Sequence, residues 1–256
     1  MSFPVVVGLS AGQEKFTSST KRGRMLGTKG QGEDGSVYRW TQNGAVALVG
    51  SVLVASPVQF AASALTGGLE LSSNVAVGAL QFTIAAAAAS GLVTPISVDQ
   101  YADGYMTVDT NADGLSGPYL IKANDAATSL QTGQFTLHDN DPIQAAMTTV
   151  TNIGLRENPY ASVLVAPVSA VSTSLGVTVA PVLANEFFWC QTGGWCQISS
   201  DAGVPANNHF ILGATPGTIA VATSAAGPTT PYLGWAQTEG AQGADTPQFV
   251  YLTIGF

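Results

Sequence analysis

Five short segments of this chain carry residues whose types and spacing could do chemistry. Gly8-Leu9-Ser10-Ala11-Gly12 has the form of a nucleophile elbow, which raises a serine on a strained strand-to-helix turn for activation by a histidine. Pro4 to Val7 reads as the strand, but Gln13 to Thr20 has no apolar helical face to follow it. Bases are also scarce, because the chain has two histidines. His138 lies in Leu137-His138-Asp139 on the polar side of a strand, beside an Asp turn. His209 follows Asn207-Asn208 at the start of a strand. Neither setting argues for a catalytic dyad, so no catalytic residue is assigned and the chain is not expected to be an enzyme.

The other two segments suggest ligation and redox chemistry. Asp109-Thr110-Asn111-Ala112-Asp113-Gly114 matches the first half of an EF-hand loop, in which alternate oxygens surround calcium and Gly permits the bend. The twelfth position is Leu120, where a bidentate Glu is required, and the flanks read as strands. A calcium site on Asp109, Asn111 and Asp113 therefore stands second to a plain Asp-Gly turn, and no metal or other cofactor is expected. Cys190 and Cys196 flank Gln191-Thr192-Gly193-Gly194-Trp195. A three-residue hairpin loop centred on Gly193 predicts the two thiols opposite each other, close enough to oxidise. Zinc is disfavoured by the spacing and by the lack of a second ligand pair. The short apolar run Pro4 to Leu9 has no basic residues before it and does not read as a secretory signal. Assembly in a reducing cytoplasm is expected, and with it thiols in preference to a disulfide.

The elements that must position these residues read as β. Val37 to Thr41, Asn43-Gly44 and Ala45 to Ala55 form a hairpin signal, and short β-rich runs between turn residues continue to Gln248–Ile254. In Gln134 to His138, Phe135 and Leu137 face one way and their polar neighbours the other. Helix is suggested at Ala85 to Ala89 and at Pro142 to Thr148, where Asp141 can cap. The expected class is mainly β, a β-sandwich or β-barrel of short antiparallel strands with an extended N-terminal arm. Residues 1–32, rich in Gly, Ser, Thr and Lys, are the arm. Residues 33–160 form a β domain and 161–256 a C-terminal β domain, or the two make one continuous unit. Trp40-x-Gln42, Trp189-x-Gln191 and Trp235-x-Gln237 share a pattern of large ring, rim amide and Gly turn, which similar local demands explain without a repeat.

Composition restricts the partners. Charged residues make up 9% of the chain against 46% hydrophobic, yet no run of eighteen apolar residues suggests a membrane span. A soluble monomer normally carries about a quarter charged residues, so a chain this neutral is expected to hide surface in permanent contacts. Net charge is -8, and six of the eight basic residues (Lys15, Lys21, Arg22, Arg24, Lys29 and Arg39) precede position 40. The acidic remainder repels phosphate backbones, which excludes nucleic acid as a partner of the body. The basic segment reads either as an arm lying on an acidic protein surface or as a solvated tail.

Leu26-Gly27-Thr28, Asp34-Gly35 with Val37-Tyr38-Arg39-Trp40, Asn43-Gly44, Ala47-Leu48 and Gly50 together resemble the opening of tailed-bacteriophage capsid decoration (cement) proteins, particularly those of marine phages. Tyr101 to Tyr105, Tyr119 to Lys122, Asn158-Pro159-Tyr160, Phe188 to Gly194 and Leu233 to Ala236 are similar to the middle and end of the same proteins. The resemblance implies a β-rich virion subunit on the outside of the head at local threefold positions, commonly a homotrimer. It would lock major capsid proteins after expansion and carry no catalytic residues. On this reading Lys15, Lys21, Arg22, Arg24 and Lys29 are the capsid-binding arm, and Trp40, Trp189, Trp195 and Trp235 are core or interface anchors, core being favoured for each. The rival is a head fibre or carbohydrate-binding adhesion module of a virion, with exposed aromatics on a sheet as its platform.

Overall fold

The structure, a computed structural model, describes residues 6–57, 69–85, 95–108, 118–127, 132–168, 173–201, 204, 207–222, 232–236 and 246–254. It is mainly β. In chain order the strands begin with β1 (Val7–Leu9), β2 (Thr17–Ser18), β3 (Lys29–Gly32), β4 (Val37–Gln42) and β5 (Leu53–Ala55). Next come β6 (Leu69–Glu70), β7 (Gln81–Ile84), β8 (Tyr105–Val108), β9 (Tyr119–Asn124), β10 (Gly133–Leu137) and β11 (Asn152–Arg156). The last group is β12 (Leu164–Val165), β13 (Ser174–Thr178), β14 (Phe187–Ser200), β15 (His209–Leu212), β16 (Ile219–Val221), β17 (Gly234–Ala236) and β18 (Thr246–Thr253). Helix among the described residues is limited to a 3-10 turn at Gln13–Lys15.

Two compact units divide the chain, and one is inserted into the other: residues 60–158 form the inserted unit, residues 2–59 and 159–256 the enclosing one. In the inserted unit the strands run β6-β11-β8-β9-β10-β7. The ring closes where Leu71 bridges Ile84, with Ser72 N–H donating to the Thr83 carbonyl and Ala85 N–H to that of Glu70, both at 2.8 Å. Closure leaves no sheet edge open to another chain. The period-two pattern fills the interior: Phe135 and Leu137 are fully buried while Gln134 faces outward. Phe82 stacks on Phe135 at 5.2 Å, and Tyr101 meets Phe135 edge-on at 5.9 Å.

The enclosing unit is organised by β14, fourteen residues long. Its first half, buried on both faces, pairs with β4 on one side and with β13 and β2 on the other. Its second half alternates and enters a second closed ring, β14-β16-β15-β17-β18, whose core includes Ile198, Phe210, Ile219, Val250 and Leu252. The change of partners falls at Gly193, where pairing with β18 begins just after the register against β4 shifts between Gln191 and Gly193. Gly194 has φ 89 and lies so close to Ser36 that a Cβ would come within 2.8 Å of its Oγ. At Ser200 the strand ends and Asp201 gathers the 213–218 loop. Its carboxylate accepts N–H bonds from Ala214 and Thr215 and, at 2.6 Å, the Thr218 hydroxyl.

Several expectations are corrected by these pairings. The hairpin across Asn43-Gly44 does not form: β4 pairs with β3 and β14, while β5 pairs with β12 and β13. The buried Asn43 amide instead donates to the carbonyls of Val46 and Leu183, holding two chain segments together. Nor does Gly193 turn a hairpin, so Cys190 and Cys196 lie on one strand in different cores, both as free thiols. Pro142 to Thr148 is not helical, because Met147 and Ile143 are spent on backbone bonds to Val75 and Gly78. Residues 86–89 of the other suggested helix, and Asp109, Asn111 and Asp113, lie outside the described residues. The domain boundary at 160/161 is replaced by the insertion, since residues 37–42 pair with 187–193.

Folded structure also begins before Asp34. β1 runs parallel to β3, β2 pairs with Phe187 and Phe188, and Leu9 and Leu26 are buried with Tyr38, Trp40 and Trp189. Residues 6–32 thus pair and pack within the enclosing unit, and the extended arm expected over residues 1–32 is not confirmed.

Two predictions follow from β14. Gly194→Ala forces a side chain into the left-handed region and onto Ser36, and should cost about 1–3 kcal/mol in chemical denaturation; an unchanged midpoint would contradict the account. For Asp201, burial favours the neutral acid, but the hydrogen bonds from Thr218, Thr215 and Ala214 outweigh it and hold the carboxyl below its usual range. Its contribution is therefore whole above about pH 4–5 and is lost as pH falls further, through the lowered value. Asp201→Asn should flatten the acid limb of the stability profile while lowering stability at neutral pH.

Candidate functional site

Two surfaces of the enclosing unit collect the residues singled out in the sequence. The first is a cavity of about 360 Å³ between the N-terminal segment and the Trp pair, lined by Arg22, Arg24, Phe16, Leu9, Trp40 and Trp189 among others. Trp40 on β4 and Trp189 on β14 are direct cross-strand partners with ring centroids 5.0 Å apart. Trp40, 0% exposed, donates its indole N–H to the Lys21 carbonyl at 3.2 Å. Its backbone exchanges bonds with Gly27 and Thr28, which brings the basic segment over the rings. The Arg24 guanidinium then sits 5.3 Å from the Trp40 ring and 5.7 Å from Trp189. Arg22 lies 4.2 Å over Phe16, with its Nε donating to Ser18 Oγ at 2.9 Å. Stacking of this kind fixes a guanidinium while leaving its N–H edge free to bind.

The second surface is a ridge of rings on the outer face of β14, β18, β17 and β15. Trp195 (37% exposed) faces Tyr251 across β14 and β18, and Trp235 (38%) faces Tyr251 across β17 and β18. Trp195 stacks on Phe249 at 5.2 Å and 8°, Tyr251 meets Trp195 edge-on at 5.0 Å, and Trp235 stacks on Tyr251 at 4.6 Å and 18°. His209, opposite Trp235, adds its ring against Tyr232 at 5.0 Å. Rings lying side by side in one plane cannot bring centroids closer than about 6 Å, given carbon contacts of about 3.5–4 Å. The near-parallel pairs at 4.6–5.2 Å therefore overlap face against face, each ring giving one face to its partner.

The four tryptophans thus divide: Trp40 and Trp189 are core, whereas Trp195 and Trp235 are surface. Of the basic residues, Arg22 and Arg24 meet in the cavity, Lys15 is exposed at the end of the 3-10 turn, and Lys29 pairs with Arg39 across β3 and β4. Phe249, Tyr251 and Tyr232 were not singled out in the sequence. The signal for the first two is their i, i+2 spacing on a strand facing Trp195.

The remaining chemistry stays apart. Ser10 is exposed and followed by a three-residue 3-10 turn where an elbow has its helix. His138 points its Nε2 toward the buried Asp103 carboxylate at 3.8 Å, while Asp139 pairs with Lys122 at 3.0 Å. Among the described residues no three His, Cys, Asp or Glu side chains converge as a metal site. No described helix is long and apolar enough to cross a membrane. Comparison with family models, curated proteins and solved structures finds no match to this chain.

Burial pushes the Cys196 thiol up to about 12 and raises Cys190 further, with the neighbouring Cys196 adding to the effect. Native protein should therefore resist thiol reagents at pH 8 and take up two equivalents only after denaturation. Labelling of the folded chain at the rate of a free cysteine would show that these cores open.

Proposed function

We propose that this chain is a structural virion subunit, a capsid decoration protein that covers and reinforces contacts between major capsid proteins on the outside of a tailed-phage head. The resemblance in the sequence suggests the family. The observation that carries the reading is a contiguous ridge of exposed, mutually stacked rings on a β surface in a chain with 9% charged residues. Trp and Tyr rigidly held by their neighbours are the usual anchors of protein interfaces, since they bury much area and lose little side-chain entropy. Such a ridge, repeated over many copies on a shell, would add binding free energy to the expanded state alone and so oppose internal pressure.

The second reading, a carbohydrate-binding adhesion module, is favoured by the same rings being exposed. Sugars, however, stack their C–H faces on ring faces, and here each near-parallel pair spends one face of every ring on its partner.

The test is co-sedimentation of the purified chain with expanded empty heads of its own particle, set beside a glycan array. Saturable head binding and a blank array are expected. Trp195→Ala and Trp235→Ala should each weaken head binding about thirtyfold, the value of an anchor worth about 2 kcal/mol, without changing the far-UV spectrum. Retention on host polysaccharide with no affinity for heads would transfer the assignment to adhesion.

A further inference from the structure

The Arg22–Arg24 cavity is not used by the ridge, and its chemistry points to a ligand of its own. Two guanidiniums line the cavity, each over an aromatic ring, and among the described residues no carboxylate is within ion-pair distance of either. Glu14 lies on the neighbouring 3-10 turn, yet it is not among the residues lining the cavity. The walls combine those cations with Leu9, Phe16, Trp40 and Trp189, so the matching ligand is a carboxylate carried beside an apolar side chain. Arg24, stacked on two indoles, offers a fork of donors held in place before binding, which suits a bidentate carboxylate.

The distribution of charge along the chain identifies the source. Residues 1–40 carry six basic and three acidic side chains, whereas the rest of the chain carries two basic and thirteen acidic. Every copy therefore combines a cationic cavity in its N-terminal segment with a remainder of the chain rich in carboxylates. We propose that this cavity is the docking site for an acidic, apolar-flanked segment of a second copy of the chain. A contact between different patches on the two copies is head-to-tail and generates a ring where the rotation closes. The proposal does not depend on the capsid reading, because the copies associate or fail to associate in the absence of any head.

The experiment is sedimentation velocity of the full chain over a range of concentrations, at about 50 mM and about 500 mM NaCl, where the screening length falls from above to well below 10 Å. Self-association at low salt that weakens at high salt is expected. Arg22→Ala and Arg24→Ala should each weaken it about tenfold, and Arg24→Lys, which keeps the charge but loses the fork, should recover only part. Trp195→Ala should leave it unchanged. Arg22 is exposed, so its variant tests the site without threatening the fold, and near-UV spectra of Trp40 and Trp189 control for Arg24.

Carbodiimide coupling of mixed isotope-labelled copies should join Lys21 of one copy to a carboxylate beyond residue 40 of the other. A monomer at every concentration and salt would overturn the proposal. So would an oligomer indifferent to both arginine substitutions, which would put the interface elsewhere. Head binding is scored separately: an oligomer that ignores heads sinks the decoration reading alone, and heads decorated by a strict monomer sink this one alone.

Discussion

The enclosing unit depends on one strand staying continuous through two environments. β14 is buried on both faces where it carries Phe188, Trp189 and Cys190, and becomes one-faced where it carries Trp195, Cys196, Gln197 and Ile198. The passage from a two-sided to a one-sided setting falls at Gly193-Gly194, just after the register shift at Thr192, and there Gly194 takes a positive φ against Ser36. Upstream, Trp189 clamps Trp40 and through it the N-terminal segment; downstream, the alternation turns Trp195 outward and Ile198 inward. The buried Gln191 ties the two halves, with its amide donating to the Trp195 carbonyl at 2.8 Å and more weakly to that of Gly193. Buried amides of this kind are costly when unpaired, so the bond holds the transition in one geometry.

The same continuity explains what could be read from the residues and what could not. Phe135 and Leu137 alternate with polar neighbours over a strand with one wet face, so their burial follows from period two alone. Gly193-Gly194 has the composition of a hairpin turn, and only the non-local pairing of β18 and β4 with β14 makes it a crossing point. Likewise Leu9, Phe16 and Leu26 are spaced too irregularly to show a period, because they come from a three-residue strand and two irregular segments that meet Trp40 and Trp189 or Arg22. The insertion of one unit into the other is invisible for a related reason: chain order carries no mark of which strands return to pair. At the cavity, Arg22 and Arg24 were legible as a basic cluster and Trp40 and Trp189 as anchors. That the two groups meet depends on the Trp40 indole N–H donating to the Lys21 carbonyl, which residue types do not encode.

Both units share a local device that no pattern in the residues announces. Leu48 and Val182 exchange both backbone hydrogen bonds, as do Val75 with Met147 and Ile96 with Ala127. Three residues after Leu48, Val75, Ile96 and Val182 comes a residue with positive φ (Ser51, Gly78, Asp99 and Asn185), whose N–H returns to the opposite segment, at Thr178, Ile143, Asn124 and Gly44. Each device thus makes a tight corner that feeds the next strand of the chain: β5, β7, β8 and β14. Only one of the four positive-φ residues is glycine. The others are Asn, Asp and Ser, which tolerate the left-handed region because short polar side chains can bond locally. A backbone requirement met by four residue types leaves no consensus, and this is why the repetition is structural and not textual.

The corners also set how exposed apolar residues should be weighed. Val49, Val77, Val98 and Leu183 lie at the tips of these turns, each more than half exposed, because the corner points one side chain away from both sheets. Apolar side chains scattered singly are ordinary on protein surfaces, and geometry alone accounts for them. The ridge is different in kind. Trp195, Phe249, Tyr251 and Trp235 belong to regular strands whose outward positions could hold any polar residue at no cost to the ring, and no corner forces them out. They support one another by stacking, so that each keeps a single orientation with its entropy already lost. Folding gains little from large half-exposed rings that smaller β formers could replace, and this is the physical ground on which the proposed covering of the ridge rests.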